Sequence, residues 1–362
     1  EEVLKADPEF VRAQVALARI DVEEGRLDAA TRRLKSARSI EPHNPWIYIG
    51  FGDYFKTQKN YEMAEAEYRS AIRNAPREAR AHYLLAKVLL LQDRQSEALE
   101  SAQAALDLEE RNPKYMVERA KILGKLGRHE EAENIMKRAI RMMPEEDGFY
   151  VQLAQALIGR ERLKEAQGYL RTAAGLDREN PNIPYLQGWT YVKSDQNKAL
   201  GFLRTADQLR PKHAKTLLAI GETHYRAHSL KDAVDSLSES LQADSSSAEA
   251  REWRARAYRD RGQYPEAILD LGHALKIRGN TANLHFEIGE VYYRWQGAKQ
   301  LRKAIRAYNR AVALQKDLGQ AYCRIAEIQI DRQKLPLAYR AAKKCVRYSP
   351  KSGSGHLSLG ML

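Results

Sequence analysis

The chain has only two cysteines in 362 residues, too few for a disulfide framework. Cys323 and Cys345 also lack the CxxC spacing of a redox or zinc motif, so they are expected as two small packed thiols, with a disulfide between them as the alternative. No run of about 18 or more apolar residues occurs, which excludes a spanning helix. The opening EEVLKADPEF has neither the basic start nor the apolar stretch of a signal peptide. GxxxxGK[ST], GxGxxG, GxSxG, HExxH and paired CxxC motifs are all absent. Without a phosphate cradle, a nucleophile elbow or a zinc motif, no catalytic residue, metal or cofactor is expected, and neither is an enzyme.

Acidic residues run short in one region alone. Residues 282–362 carry 15 basic and 5 acidic groups, so most of the net charge of +12 sits there. The rest of the chain is close to balanced, which argues against a nucleic-acid protein in the ordinary sense. With 43% hydrophobic and 30% charged residues, a packed core with a solvated surface is within reach.

What the chain does have is self-similarity. GRLDAATRRLKSARSIEP, KNYEMAEAEYRSAIRNAP, GRHEEAENIMKRAIRMMP and RERLKEAQGYLRTAAGLD align at a spacing of 34 residues. Ten units follow, starting at residues 11, 45, 79, 113, 147, 181, 214, 248, 282 and 319. The sixth is one residue short, and the ninth carries about three extra within RWQGAKQLRK. Position 20 of the unit is alanine every time, from Ala30 to Ala338. Position 27 is alanine except at Ser240 and Cys345, and position 8 is always alanine or glycine. Apolar residues near positions 4, 7 and 11, then 17, 24 and 28, predict two amphipathic helices per unit. The small residues let the two backbones approach, and a proline near position 32 (Pro42, Pro76, Pro144, Pro211, Pro350) stops the second helix.

This pattern resembles the tetratricopeptide repeat family across essentially the whole chain. The resemblance implies an all-α fold, a right-handed superhelical α-solenoid, as a single continuous array over residues 1–362. Residues 1–10, with Pro8 at position 32, read as the end of a preceding repeat, and 353–362 as the start of another. Neither end has the polar capping helix of a closed solenoid, so the chain is expected to be part of a longer protein.

Two histidine clusters invite a metal reading. His129 precedes Glu130, Glu131 and Glu133, but the group starts a second helix, where carboxylates complement the dipole. His224 and His228 lie one turn apart without a third ligand nearby. Both clusters are expected to be structural.

The family resemblance further implies that first helices line a concave surface through positions 2, 5, 9, 12 and 13. On that register Arg80, Tyr83, Lys87, Lys114, Lys121 and Lys125 form a basic stretch with one aromatic. Val151, Gln155 and Ile158, with Tyr185, Trp189 and Val192, read as an apolar pocket. Tyr225, Arg226, Arg256, Arg259, Phe286 and Tyr293 make a mixed aromatic stretch, near Glu252 and Arg294. Aromatic and arginine side chains on a rigid surface are the usual anchors of partner binding. The Lys and Asn pattern by which some relatives clamp a chaperone's C-terminal carboxylate is missing here. On the outer faces of the last helices, Arg302, Lys303, Arg306 and Arg310 lie beside Arg340, Lys343, Lys344 and Arg347. This basic convex patch suits an acidic partner or an anionic surface.

The expected role is therefore a scaffold that binds peptide segments or small domains, as in bacterial motility, pilus, secretion or export machines. The alternative is the recognition array of a larger enzyme, such as a glycosyltransferase. Self-association stays open, nucleic acid is not expected, and the cytoplasm ranks ahead of the periplasm as compartment.

Overall fold

The computed structural model describes residues 10–362 and divides the chain into two compact units, one ending at Leu176 and the other running from Asp177 to Leu362. The expectation for residues 1–9, including Pro8, lies outside the described residues. The first unit holds five helix pairs: α1 (Val11–Glu23) and α2 (Leu27–Ile40), α3 (Pro45–Thr57) and α4 (Tyr61–Asn74), α5 (Ala79–Leu91) and α6 (Gln95–Leu108), α7 (Pro113–Lys125) and α8 (His129–Met142), α9 (Asp147–Gly159) and α10 (Leu163–Leu176). The second holds α11 (Asn182–Tyr191) and α12 (Gln196–Leu209), α13 (Ala214–Arg226) and α14 (Leu230–Ala243), α15 (Ala248–Asp260) and α16 (Tyr264–Arg278), α17 (Ala282–Trp295) and α18 (Ala298–Leu314), α19 (Gly319–Asp331) and α20 (Leu335–Tyr348), then α21 (Gly353–Gly360). No strand occurs among the described residues. Within each unit the pairs stack in sequence order, so each unit is an α-solenoid of helix–turn–helix repeats.

The small residues sit where the register puts them. Every residue at position 27 is fully buried, including Ser240 and Cys345. Each exception makes a bond that alanine cannot. The Ser240 hydroxyl donates to the Ala214 carbonyl at 2.8 Å, and Cys345 is joined to Cys323. That disulfide corrects the expectation of two free thiols. Positions 5 and 27 of one repeat face each other across α19 and α20, bringing the two Cα atoms to 4.9 Å, within bonding reach.

Position 8 is matched in size to position 24 of the same repeat. Gly52 faces Tyr68 and Gly289 faces Tyr308, and a β-carbon on either glycine would overlap the ring. Both rings are fully buried, and their hydroxyls donate to the acid at position 9: Tyr68 to Asp53 at 2.8 Å, Tyr308 to Glu290 at 2.6 Å. Burial and the adjacent carboxylate both hold these phenols well above their ordinary pKa.

The turn inside each pair is set at position 15. In nine repeats that residue has positive φ, between 56° and 78°: Gly25, Lys59, Asp93, Gly127, Glu161, His228, Gly262, Gln296 and Gln333. In eight of them this backbone ends the first helix and lets the next N–H reach back, as Arg128 N does to the Leu123 carbonyl at 2.9 Å; Gln296, with ψ of −176°, is the exception. The sixth repeat, one residue short, has no such residue, and its first helix is reduced to Asn182–Tyr191. In the ninth, the extra residues lengthen α18 by about one turn, to 17 residues.

Candidate interaction surfaces

The first helices carry the candidate surface, and the two units treat it differently. In the first unit, the Arg80 guanidinium lies over Trp46 at 5.6 Å, and Tyr83 stacks on Tyr115 at 4.9 Å with Lys87 over its ring. Burial raises the Tyr83 phenol above its usual range. Lys121 meets Glu118 at 3.4 Å, whereas Lys114, Lys125 and Gln155 are exposed and Ile158 is half-buried. Val151 is a correction. At 9% exposure it belongs to the core, so its side chain leans inward in its own repeat rather than to solvent.

A cavity of about 470 Å³ opens between α7, α8 and α9. Leu90, Met136, Leu153 and Leu157 line it, with Lys121, Lys125 and Arg160 among its polar residues. Glu133, also in the lining, is held by Arg162, by Lys137 at 2.7 Å and by Arg160 at 3.2 Å. The hydrogen bonds from Arg162, with those from Lys137, outweigh the burial and hold its carboxyl down at about 2. Arg162 also grips Glu165 in its own repeat, and Arg94 grips Glu65 and Glu97 in the same two positions of earlier repeats. This clamp between repeats appears twice.

In the second unit, Tyr185 is half-buried against Leu203 and Ile220, Trp189 remains 37% exposed, and Val192 at 3% is core. Val192 is the second correction, since position 12 of the shortened repeat is folded inward. Further on, the surface is cross-linked. Trp253 lies between Arg226 and Arg256, at 5.2 and 4.6 Å from its ring. Arg256 and Arg259 share Glu287, at 2.8 and 3.0 Å. Arg259 also meets Asp260, whose other oxygen accepts from Tyr225 at 2.7 Å. Burial would raise the Asp260 carboxyl, but Arg259 and Tyr225 prevail and hold it below its usual range. Phe286 packs on Tyr308, Arg324 bridges Glu290 and Glu327, and Tyr293 meets Arg324 and Glu327. Glu252, by contrast, is raised by its burial despite Arg278 nearby.

Three contributors escaped the sequence reading. Trp46 and Trp253 sit at positions 2 and 6 of their repeats, and Glu287 is likewise at position 6. The signal was an arginine on the same or an adjacent first helix. His228 supplies a left-handed turn, and no group of three metal-ligating side chains occurs among the described residues. None of the eight basic-patch residues forms an ion pair among the described residues. Lys303 and Lys344 instead lie over Tyr292 and Tyr322, each at 5.1 Å, and Arg347 over Tyr348. No helix among the described residues is long and apolar enough to cross a membrane.

Comparison with known proteins bears on both units. A family model described as "Tetratricopeptide repeat" matches residues 21–88 and 123–189, and one described as "TPR repeat" matches 255–295. Anaphase-promoting complex subunit 3 of Schizosaccharomyces pombe is 24% identical over 48% of this chain and 26% of its own length. DnaJ homolog subfamily C member 3 of Rattus norvegicus is 24% identical over 64% of this chain and 42% of its own length. The chain thus spans about a quarter to two-fifths of these relatives. Among solved structures, the human IFIT1 dimer with PPP-AAAA matches at TM-score 0.61 and 16% identity, covering 94% of this chain and 89% of that one. The APC/C hetero-tetramer Cut9-Hcn1 matches at TM-score 0.59 and 15% identity, covering 95% and 74%. These two likenesses bear on the fold alone.

Proposed function

We propose that this chain, which belongs to the tetratricopeptide repeat family, is a non-enzymatic scaffold that holds segments of partner proteins on its first helices. Trp189 carries the reading. It is a large aromatic left 37% exposed on a helix that is anchored by the buried Leu186 and Gly188. Such pre-positioned aromatics bind at low entropic cost. One curated relative is by name a subunit of a complex, which supports an assembly role. Whether the assembly is a bacterial motility, pilus, secretion or export machine or a eukaryotic complex, the shared element is a rigid face that captures extended segments.

A partner captured by the intact chain should bind Trp189→Ala about tenfold more weakly, with the melting temperature unchanged within about two degrees. Unchanged binding, or a large fall in melting temperature, would remove Trp189 from the surface. The basic patch supports a second contact, with an acidic partner or an anionic surface, because its cations are unspent on acids. Its binding should weaken steeply between 50 and 300 mM salt, and a flat titration would dismiss it.

A further inference from the structure

The cavity between α7, α8 and α9 is written into two adjacent repeats. Position 12 is large in most repeats (Leu90, Ile158, Tyr225, Tyr293), but is Gly124 in the fourth. Positions 10 and 13 of the fifth are Ala156 and Gly159, where siblings carry Tyr54 or Ile122 and Leu91 or Arg226. A β-carbon on Gly124 or Gly159 would meet nothing within 4 Å, so no close packing demands glycine there. Each glycine weakens its helix relative to alanine, and what it leaves is open space.

That space has a defined chemistry. Leu90, Met136, Leu153 and Leu157 make an apolar wall, and about 470 Å³ is room for one large side chain and its flanking backbone. The acid in the lining, Glu133, is saturated by Arg160, Arg162 and Lys137. Lys125 is exposed, and Lys121 is held only by Glu118 at 3.4 Å, so the rim is left net positive.

We propose that this cavity receives one large aliphatic or aromatic side chain from an extended, acidic segment of a partner protein. The segment's carboxylates lie on Lys121 and Lys125. The inference rests on the scaffold reading and adds the partner's chemistry to it.

The probe is a random twelve-residue peptide library displayed on phage and selected on the full chain. Enriched peptides should carry a leucine, methionine, phenylalanine or tryptophan flanked by acids. Replacing that apolar residue by alanine should weaken binding at least tenfold. Gly124→Leu fills the space and should abolish binding, while Gly124→Ala should change it less than threefold. Lys125→Glu should weaken it about tenfold and remove its salt dependence. Circular dichroism melts identify which variants are folded. No enrichment, a consensus without the acid and apolar pairing, or equal binding to folded Gly124→Leu overturns the proposal. A partner protein lost with Trp189→Ala yet indifferent to Gly124→Leu overturns the cavity alone. A chain with no partner sensitive to either variant sinks the scaffold reading itself.

Discussion

The two units are built from one repeat and spend their polar side chains in opposite ways. In the second unit the first helices are bound to one another: Glu287 holds two arginines, Asp260 holds Arg259 and Tyr225, and Arg324 spans Glu290 and Glu327. In the first unit the clamps Arg94 to Glu65 and Arg162 to Glu133 lie at the second helices, leaving Lys114, Lys125 and Gln155 on the first helices exposed. A surface whose charges are already paired stiffens its unit, whereas an unpaired one is free to meet a partner. The difference is chemical as well as structural, because the short sixth and long ninth repeats both belong to the second unit.

The largest test of this contrast removes a shared acid. Glu287→Ala leaves Arg256 without its carboxylate and strips one of two from the largely buried Arg259. It should cost about 3 kcal/mol. Hydrogen exchange should then quicken across α15 and α17, while Lys125→Ala in the first unit stays within about 0.5 kcal/mol. Similar effects from the two would erase the distinction.

Next come the tyrosine sockets, which the units share. Gly52→Ala and Gly289→Ala each push a β-carbon into a buried ring and should cost about 2 kcal/mol, measured by urea unfolding. If only one of them destabilises, the two sockets are not equivalent.

A smaller effect is specific to the first unit. The Glu133 carboxyl is depressed from 4.5 to about 2 in the folded chain. Its contribution is therefore complete above pH 4.5 and lost as pH falls toward 2. Glu133→Gln should flatten that stretch of the stability curve by about 1 kcal/mol.

An effect of similar size concerns the turns. His228→Gly relieves a left-handed non-glycine and should gain about 1 kcal/mol, while Gly127→Ala at the same position of another repeat should lose about as much. Melting temperatures moving in the same direction would mean that position 15 is not the controlling turn.

The repeat register was legible because alanine at positions 20 and 27 reports contact between backbones, a constraint no surface requirement imitates. The left-handed turn at position 15 was not, because only Gly25, Gly127 and Gly262 announce it, and Lys59, His228 and Gln333 adopt it under tertiary constraint. Val151 and Val192 were misplaced because a family-wide position number does not say which way one side chain leans in its own repeat. The cavity was half visible: Gly124 and Ala156 stand out against their siblings only once both are known to face one gap. The disulfide needed distances, since 22 residues of separation says nothing about whether two sulfurs meet.

With Cys323 and Cys345 joined, the oxidised chain presents no free thiol. A maleimide should leave it unmodified until a reductant is added and then mark it twice, so alkylation followed by mass spectrometry reads the redox history of any preparation. It also means that one cysteine introduced at position 125 or 189 is the sole handle for a dye or spin label. Distances from either surface to a bound partner can then be taken on a chain whose native cysteines are untouched.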